Sequence, residues 1–167
     1  TIDFKNIESI PQLIKDFLDG KLAGFNHKIF SEDNFKSQIE EKFKNYDPKI
    51  RQTLVDVLED QHQSLNLTFQ QQQYLNLLRK DNTFTVTTGH QLNLFTGPVF
   101  FIYKILQTIK TAEYLKQNFP QQQFVPIFWM ATEDHDFDEI DHFKTENHFY
   151  QIKAQSGTAV GRIVIED

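Results

Sequence analysis

"TFTVTTGHQLNLFTGPVFFIYKILQ", residues 83–107, changes character twice along its length. Threonine, phenylalanine and valine alternate with period two at its start, so the spacing predicts a strand over 83–88 that stops at Gly89. A polar loop then runs to Gly97-Pro98. From Pro98 to about Asn118 the apolar residues take helical spacing, with proline in the first turn. That helix is apolar on every side at Val99–Tyr103 and becomes amphipathic later, through Ile105, Leu106, Ile109, Ala112 and Leu115. Its first turns are expected to be buried all round. A second apolar run, "FVPIFWMA" at 124–131, has the composition of a central parallel strand. Strand, loop, helix and strand in that order make a βαβ unit, so the fold class is α/β with a parallel, doubly wound sheet.

Working outward, residues 1–80 read as a helical segment and 81–167 as the first part of the sheet-bearing core. Asp47-Pro48 supplies an N-cap and a first-turn proline for a helix carrying Ile50, Leu54, Val57, Leu58 and Leu65. Ser31 can cap a helix with Phe35, Ile39 and Phe43 on one face. Thr68 and Gln71 have the spacing of a capping box, and Tyr74, Leu75 and Leu78 give that helix its apolar side. Further strands are expected at 142–145, 148–153 and 161–165. The chain begins on Thr1 and ends on a strand-like "GRIVIED", which suggests a piece of a longer polypeptide.

Composition narrows the function classes. Seventeen basic residues stand against 23 acidic ones, for a net charge of −6. With no basic stripe beside the aromatic residues, nucleic acid is not an expected partner. The absence of Cys excludes thiolate chemistry and disulfides within these residues. No run approaches the ~18 apolar residues of a membrane span, and the N-terminus lacks the layout of a signal peptide. A cytoplasmic setting is the default expectation.

Ligands of open parallel sheets bind outside the carboxyl ends of the strands. Two polar loops fall there. In the first, Gly89, His90, Gln91, Thr96 and Gly97 lead into a helix N-terminus, whose unpaired N–H groups suit phosphate or carboxylate. The alternative is an ordinary capped βα turn, since neither the dinucleotide fingerprint nor the P-loop is present. In the second, Glu133, Asp134, His135 and Asp136 follow the strand directly. A carboxylate beside His135 could orient the imidazole for general acid–base work. The same set could ligate Mg²⁺ or a transition metal, or be no more than a charged loop. Asp138, Glu139 and Asp141 read as solvated, Trp129 as core or a pocket wall. His27, His62, His142 and His148 have no evident partner.

"TGHQLNLFTGPVFFIYKILQTIK" (88–110), "VPIFWMATEDHDFDEIDHF" (125–143) and "SGTAVGRIVIED" (156–167) together resemble the bacillithiol biosynthesis cysteine-adding enzyme family, BshC. The resemblance implies a Rossmann-like core related to class I aminoacyl-tRNA synthetases and nucleotidyltransferases. It implies that the remaining core, connecting insertions and a coiled coil that promotes homodimerisation lie outside this chain. It also implies a ligase that joins cysteine to glucosaminyl-malate, with ATP or another activating nucleotide. Many family members carry Gln where this chain has His90, and the synthetase His-x-x-His signature is absent. Without the resemblance, the Asp/His cluster would suggest a metal-assisted hydrolase. A binding module without catalysis is the third reading.

Overall fold

The structure, a computed structural model, describes residues 3–22, 30–93, 97–154 and 157–164. It divides into two compact units, Thr1–Ile50 and Arg51–Asp167. In the first, a 3₁₀ turn at Phe4–Asn6 precedes α1 (Gln12–Leu18) and α2 (Glu32–Asn45). Ser31 caps α2, its hydroxyl accepting from the Asn34 N–H at 3.2 Å. Lys5 pairs with Asp19 at 2.6 Å and Lys21 with Asp16 at 3.0 Å, surface pairs of the kind that stabilise little.

The second unit contains most of α3 (Pro48–His62), all of α4 (Phe69–Leu78), and the βαβ unit. Thr68 and Gln71 form the reciprocal capping box, with N–H···O distances of 2.8 and 3.3 Å. α3 and α4 pack on the sheet. Val55 of α3 is 0% exposed and shares a core with Leu78 of α4 and Val125. Val55 lies off the helix face that the sequence suggests; Ile50 and Val57 on that face are exposed. Polar bonds reinforce the packing. The Arg51 guanidinium donates to the Leu78 and Thr83 carbonyls, both at 3.0 Å, and the Thr83 hydroxyl donates to the Leu77 carbonyl at 2.5 Å. Carbonyls left over at the end of α4 thus find partners.

β1 (Thr83–His90) and β2 (Gln123–Met130) are parallel neighbours, joined by α5 (Val99–Asn118). Alternation along β2 serves two layers. Val125 and Ile127 meet the α3 and α4 side chains. Phe124 and Phe128 meet Phe119 and Phe101, at the two ends of α5, with ring centroids 6.5 and 5.2 Å apart. The parallel pairing and its helical crossover agree with the sequence. Two expectations fail. The start of α5 is not buried all round: Tyr103 is 68% exposed, and Val99, Phe100 and Ile102 are exposed with it. An apolar circumference states what could be covered, and within this chain only the sheet-facing side is. Downstream, β3 (His142–Lys144) and β4 (Phe149–Gln151) form a separate antiparallel hairpin. Gly161 and Arg162, at the start of the strand expected at 161–165, belong to a 3₁₀ turn at Val160–Arg162 instead. There the backbone bonds to the loop after β2 rather than to a strand.

Leu78 is 3% exposed at the centre of the α3–α4–β2 core. Leu78→Ala should cost about 2–5 kcal/mol, read as a lower urea midpoint. An unchanged midpoint would show that this cluster is not the core.

Candidate functional site

The strand register fixes where the two polar loops start. Gly89 pairs with Trp129 and His90 with Met130, so both strands end level at the same sheet edge. The ladder extends one step further, the Ala131 N–H donating to the His90 carbonyl at 3.0 Å.

In the first loop an asparagine does the organising. The Asn93 amide donates to the Gln91 carbonyl at 2.9 Å and to His90 Nδ1 at 2.8 Å. His90 Nδ1 also lies 3.2 Å from the Gln91 carbonyl. The His90 ring packs against Phe100 and Phe101, with centroids at 5.1 and 5.5 Å, which turns it toward the start of α5. Gly97 has a φ of +60°, and a Cβ there would lie 2.6 Å from Asn93 Cγ. Backbone conformation and space both demand glycine. Thr96 lies outside the described residues. α5 has no side-chain cap and no acidic residue in its first turn. Its first N–H groups give this end of α5 the partial positive charge of a helix N-terminus.

The second loop is held from the C-terminal side. The Gly161 N–H donates to the Thr132 carbonyl at 2.9 Å, and the Val160 N–H to the Asp134 carbonyl at 2.7 Å. A Cβ on Gly161 would stand 2.7 Å from Thr132 Cβ, so the close approach needs glycine. Beneath the loop, Phe137, Ile140 and Val160 form a small core with Leu92 of the first loop. Trp129 is 58% exposed, and its indole N–H donates to Glu133 at 3.1 Å. It is a wall at the sheet edge, not a core residue.

Gln91 and Glu139 close the distance between the loops, the Gln91 amide donating to the Glu139 carboxylate at 3.0 Å. The cluster itself is less connected than its sequence suggests. Asp134 Oδ1 accepts from the Asp136 N–H at 3.1 Å, a turn-forming bond. Among the described residues no hydrogen bond joins the exposed His135 ring to Asp134 or Asp136. Nor do three His, Asp or Glu side chains among them converge as a metal would require.

The oriented imidazole lies elsewhere. Asp141, expected to be solvated, has a side chain only 7% exposed and accepts from His142 Nδ1 at 2.7 Å. Its other oxygen accepts from the Gln151 amide at 2.6 Å. His142 therefore does have a partner, as does His62, whose Nδ1 is 2.6 Å from the Leu58 carbonyl; His27 lies outside the described residues. The adjacent Asp141-His142 pair was the one available signal, and nothing in sequence tells a buried carboxylate from the solvated ones around it. Asn93 had no signal beyond its loop position.

The Gln151 amide, and next the His142 ring, hold the Asp141 carboxyl below its ordinary pKa. A carboxyl depressed by folding stabilises the native state above the ordinary range, near ~4, and that stabilisation is lost as pH falls through and below it. The melting-temperature difference between wild type and Asp141→Asn should be largest near neutrality and shrink in acid. A difference that stays constant with pH would mean that the carboxylate charge is not what matters.

Among the described residues no helix is long and apolar enough to cross a membrane. Over residues 1–167 the chain matches the family described as bacillithiol biosynthesis BshC, N-terminal Rossmann-like domain. Among curated proteins it is 41% identical over 167 residues to a Flavobacterium johnsoniae protein named "Putative cysteine ligase BshC", covering 99% of this chain and 32% of that one. Proteins of the same name from Flavobacterium psychrophilum and Christiangramia forsetii are 46% and 47% identical, over 97% and 85% of this chain and 31% and 27% of theirs. The chain thus spans about a third of the length of the first two relatives.

Proposed function

The chain belongs to the bacillithiol biosynthesis BshC family, as its N-terminal Rossmann-like domain, and from that premise we propose that the full-length protein is a ligase joining cysteine to glucosaminyl-malate. The observation that carries this reading is the family match along all of residues 1–167. The Gln91–Glu139 bond, which brings the two strand-end loops into contact, supports a shared site.

A carboxylate is a poor electrophile, so the cysteine carboxyl needs activation. A nucleoside triphosphate would supply a leaving group on the acyl carbon. Gly89, Gln91, Thr96 and Gly97, with the first N–H groups of α5, would hold its phosphates or the malate carboxylates. Glu133, Asp134, His135 and Asp136 would receive the amine-bearing substrate. Their negative charge suits an ammonium group, and the exposed His135 offers it a hydrogen bond. His90, its ring packed on Phe100 and Phe101, shapes the entrance to α5. Homodimerisation, through segments outside this chain, is part of the same proposal.

A cell lacking the cysteine-adding step should regain bacillithiol when given the full-length gene, and not when given residues 1–167 alone. His135→Ala should raise KM for the amine substrate about tenfold, the equivalent of one hydrogen bond of ~1.4 kcal/mol. If the full-length gene fails to complement, and the purified protein instead hydrolyses small amides or esters with added divalent metal, a hydrolase replaces the ligase.

A further inference from the structure

The pair at the head of β3 has the arrangement that His135 lacks. Asp141 takes the Nδ1 proton of His142 in a 2.7 Å hydrogen bond, which leaves the lone pair on Nε2. No hydrogen bond among the described residues occupies Nε2, and the His142 side chain is 38% exposed. The ring is steadied by Phe149, with centroids 5.1 Å apart. The carboxylate is itself fixed by Gln151 at 2.6 Å, and its backbone carbonyl accepts from the Ile152 N–H at 2.7 Å. An imidazole is thereby oriented, able to accept a proton and open on one side. It is also close to the loops. Three Cα steps of ~3.8 Å separate His142 from Glu139, so at most about 11 Å lies between their backbones, and Glu139 is the residue bonded to Gln91.

Resting on the ligation reading above, we propose that Asp141 and His142 are the proton-accepting pair for the attacking amine. The glucosamine nitrogen attacks the activated cysteine carbon and the C–N bond forms. The bond from that carbon to the phosphate oxygen of the activating nucleotide breaks, and the oxygen leaves with the electron pair. The proton lost by nitrogen passes to His142 Nε2. Asp141 remains a carboxylate and stabilises the imidazolium, which returns its proton to solvent through the exposed side of the ring. Asp141 is the anion bonded to this ring. Lys144 lies on the same face of the hairpin, its Nζ 5.6 Å from the Phe149 centroid. On that face β4 contributes Phe149 and Gln151, neither of which titrates.

The same pair could be only a staple between β3 and β4, and His142→Gln separates the two roles. Glutamine can still donate an N–H to Asp141 but cannot take a proton. In full-length enzyme given cysteine, glucosaminyl-malate and ATP, His142→Gln should lose ~10²- to 10⁴-fold in kcat with an unchanged melting temperature. The acid limb of its pH–rate profile should vanish. A His142→Gln enzyme that works at the wild-type rate, or keeps the limb, overturns the pair's role while ligation stands. Should the variant melt early, His142→Ala with added imidazole decides: rescue supports proton transfer, and no rescue overturns it. If the wild type forms no product from these three compounds, the ligation reading falls and this role falls with it.

Discussion

Everything at the candidate site depends on the parallel pairing of β1 with β2 in one register. Thr83 opposite Gln123 at one end places His90 opposite Met130 at the other, so the two loops leave the sheet at the same level. A shift of one residue would exchange the two faces of β2. Val125 would then meet the α5 layer, and Phe124 would meet the small space above Val55. The aromatic and aliphatic alternation of "FVPIF" therefore sets the register, and the register sets the site.

Around this edge the chain uses backbone to hold what side chains would otherwise have to hold. The 131–136 loop has several carboxylates and little apolar content, so it cannot bury itself. Its Thr132 and Asp134 carbonyls are taken by Gly161 and Val160, while Phe137 and Ile140 anchor its far end. Mutually repelling carboxylates stay at the rim, where water screens them. Asp141 alone is drawn inside, and there both of its oxygens are matched by donors.

The fold was legible where one local rule had no competitor. Period two in "TFTVTTG", the Gly97-Pro98 helix start and the Thr68–Gln71 capping box are settled within a few residues, and the structure agrees with each. The sequence misled where burial depends on a distant partner. On α3 the apolar stripe through Ile50 and Val57 looked like the core face, yet Val55 is the residue beneath Leu78 and Val125. On α5 the apolar start says nothing about which side the sheet will cover. The 133–136 cluster was easy to find because its charges are consecutive. Its internal bonds were not, because Asp134 can turn toward the Asp136 backbone as readily as toward an imidazole. The best-oriented histidine was hidden because burial of Asp141 arises from a cross-strand glutamine, Gln151, ten positions away.

Arg51 joins three elements through one planar group: it sits on α3 and bonds the end of α4 and the first residue of β1. That fork ties together the elements that bury Val55 and Leu78 at the base of the sheet. The base should therefore open as a single cooperative unit, with exchange limited by global unfolding. At the opposite edge, the loops are joined by the exposed Gln91–Glu139 bond and by Leu92 packed on Phe137, Ile140 and Val160, none of which touches this base. The molecule is thus graded along its strands, slow to exchange where they begin and quicker where they end, at the edge that carries the candidate site.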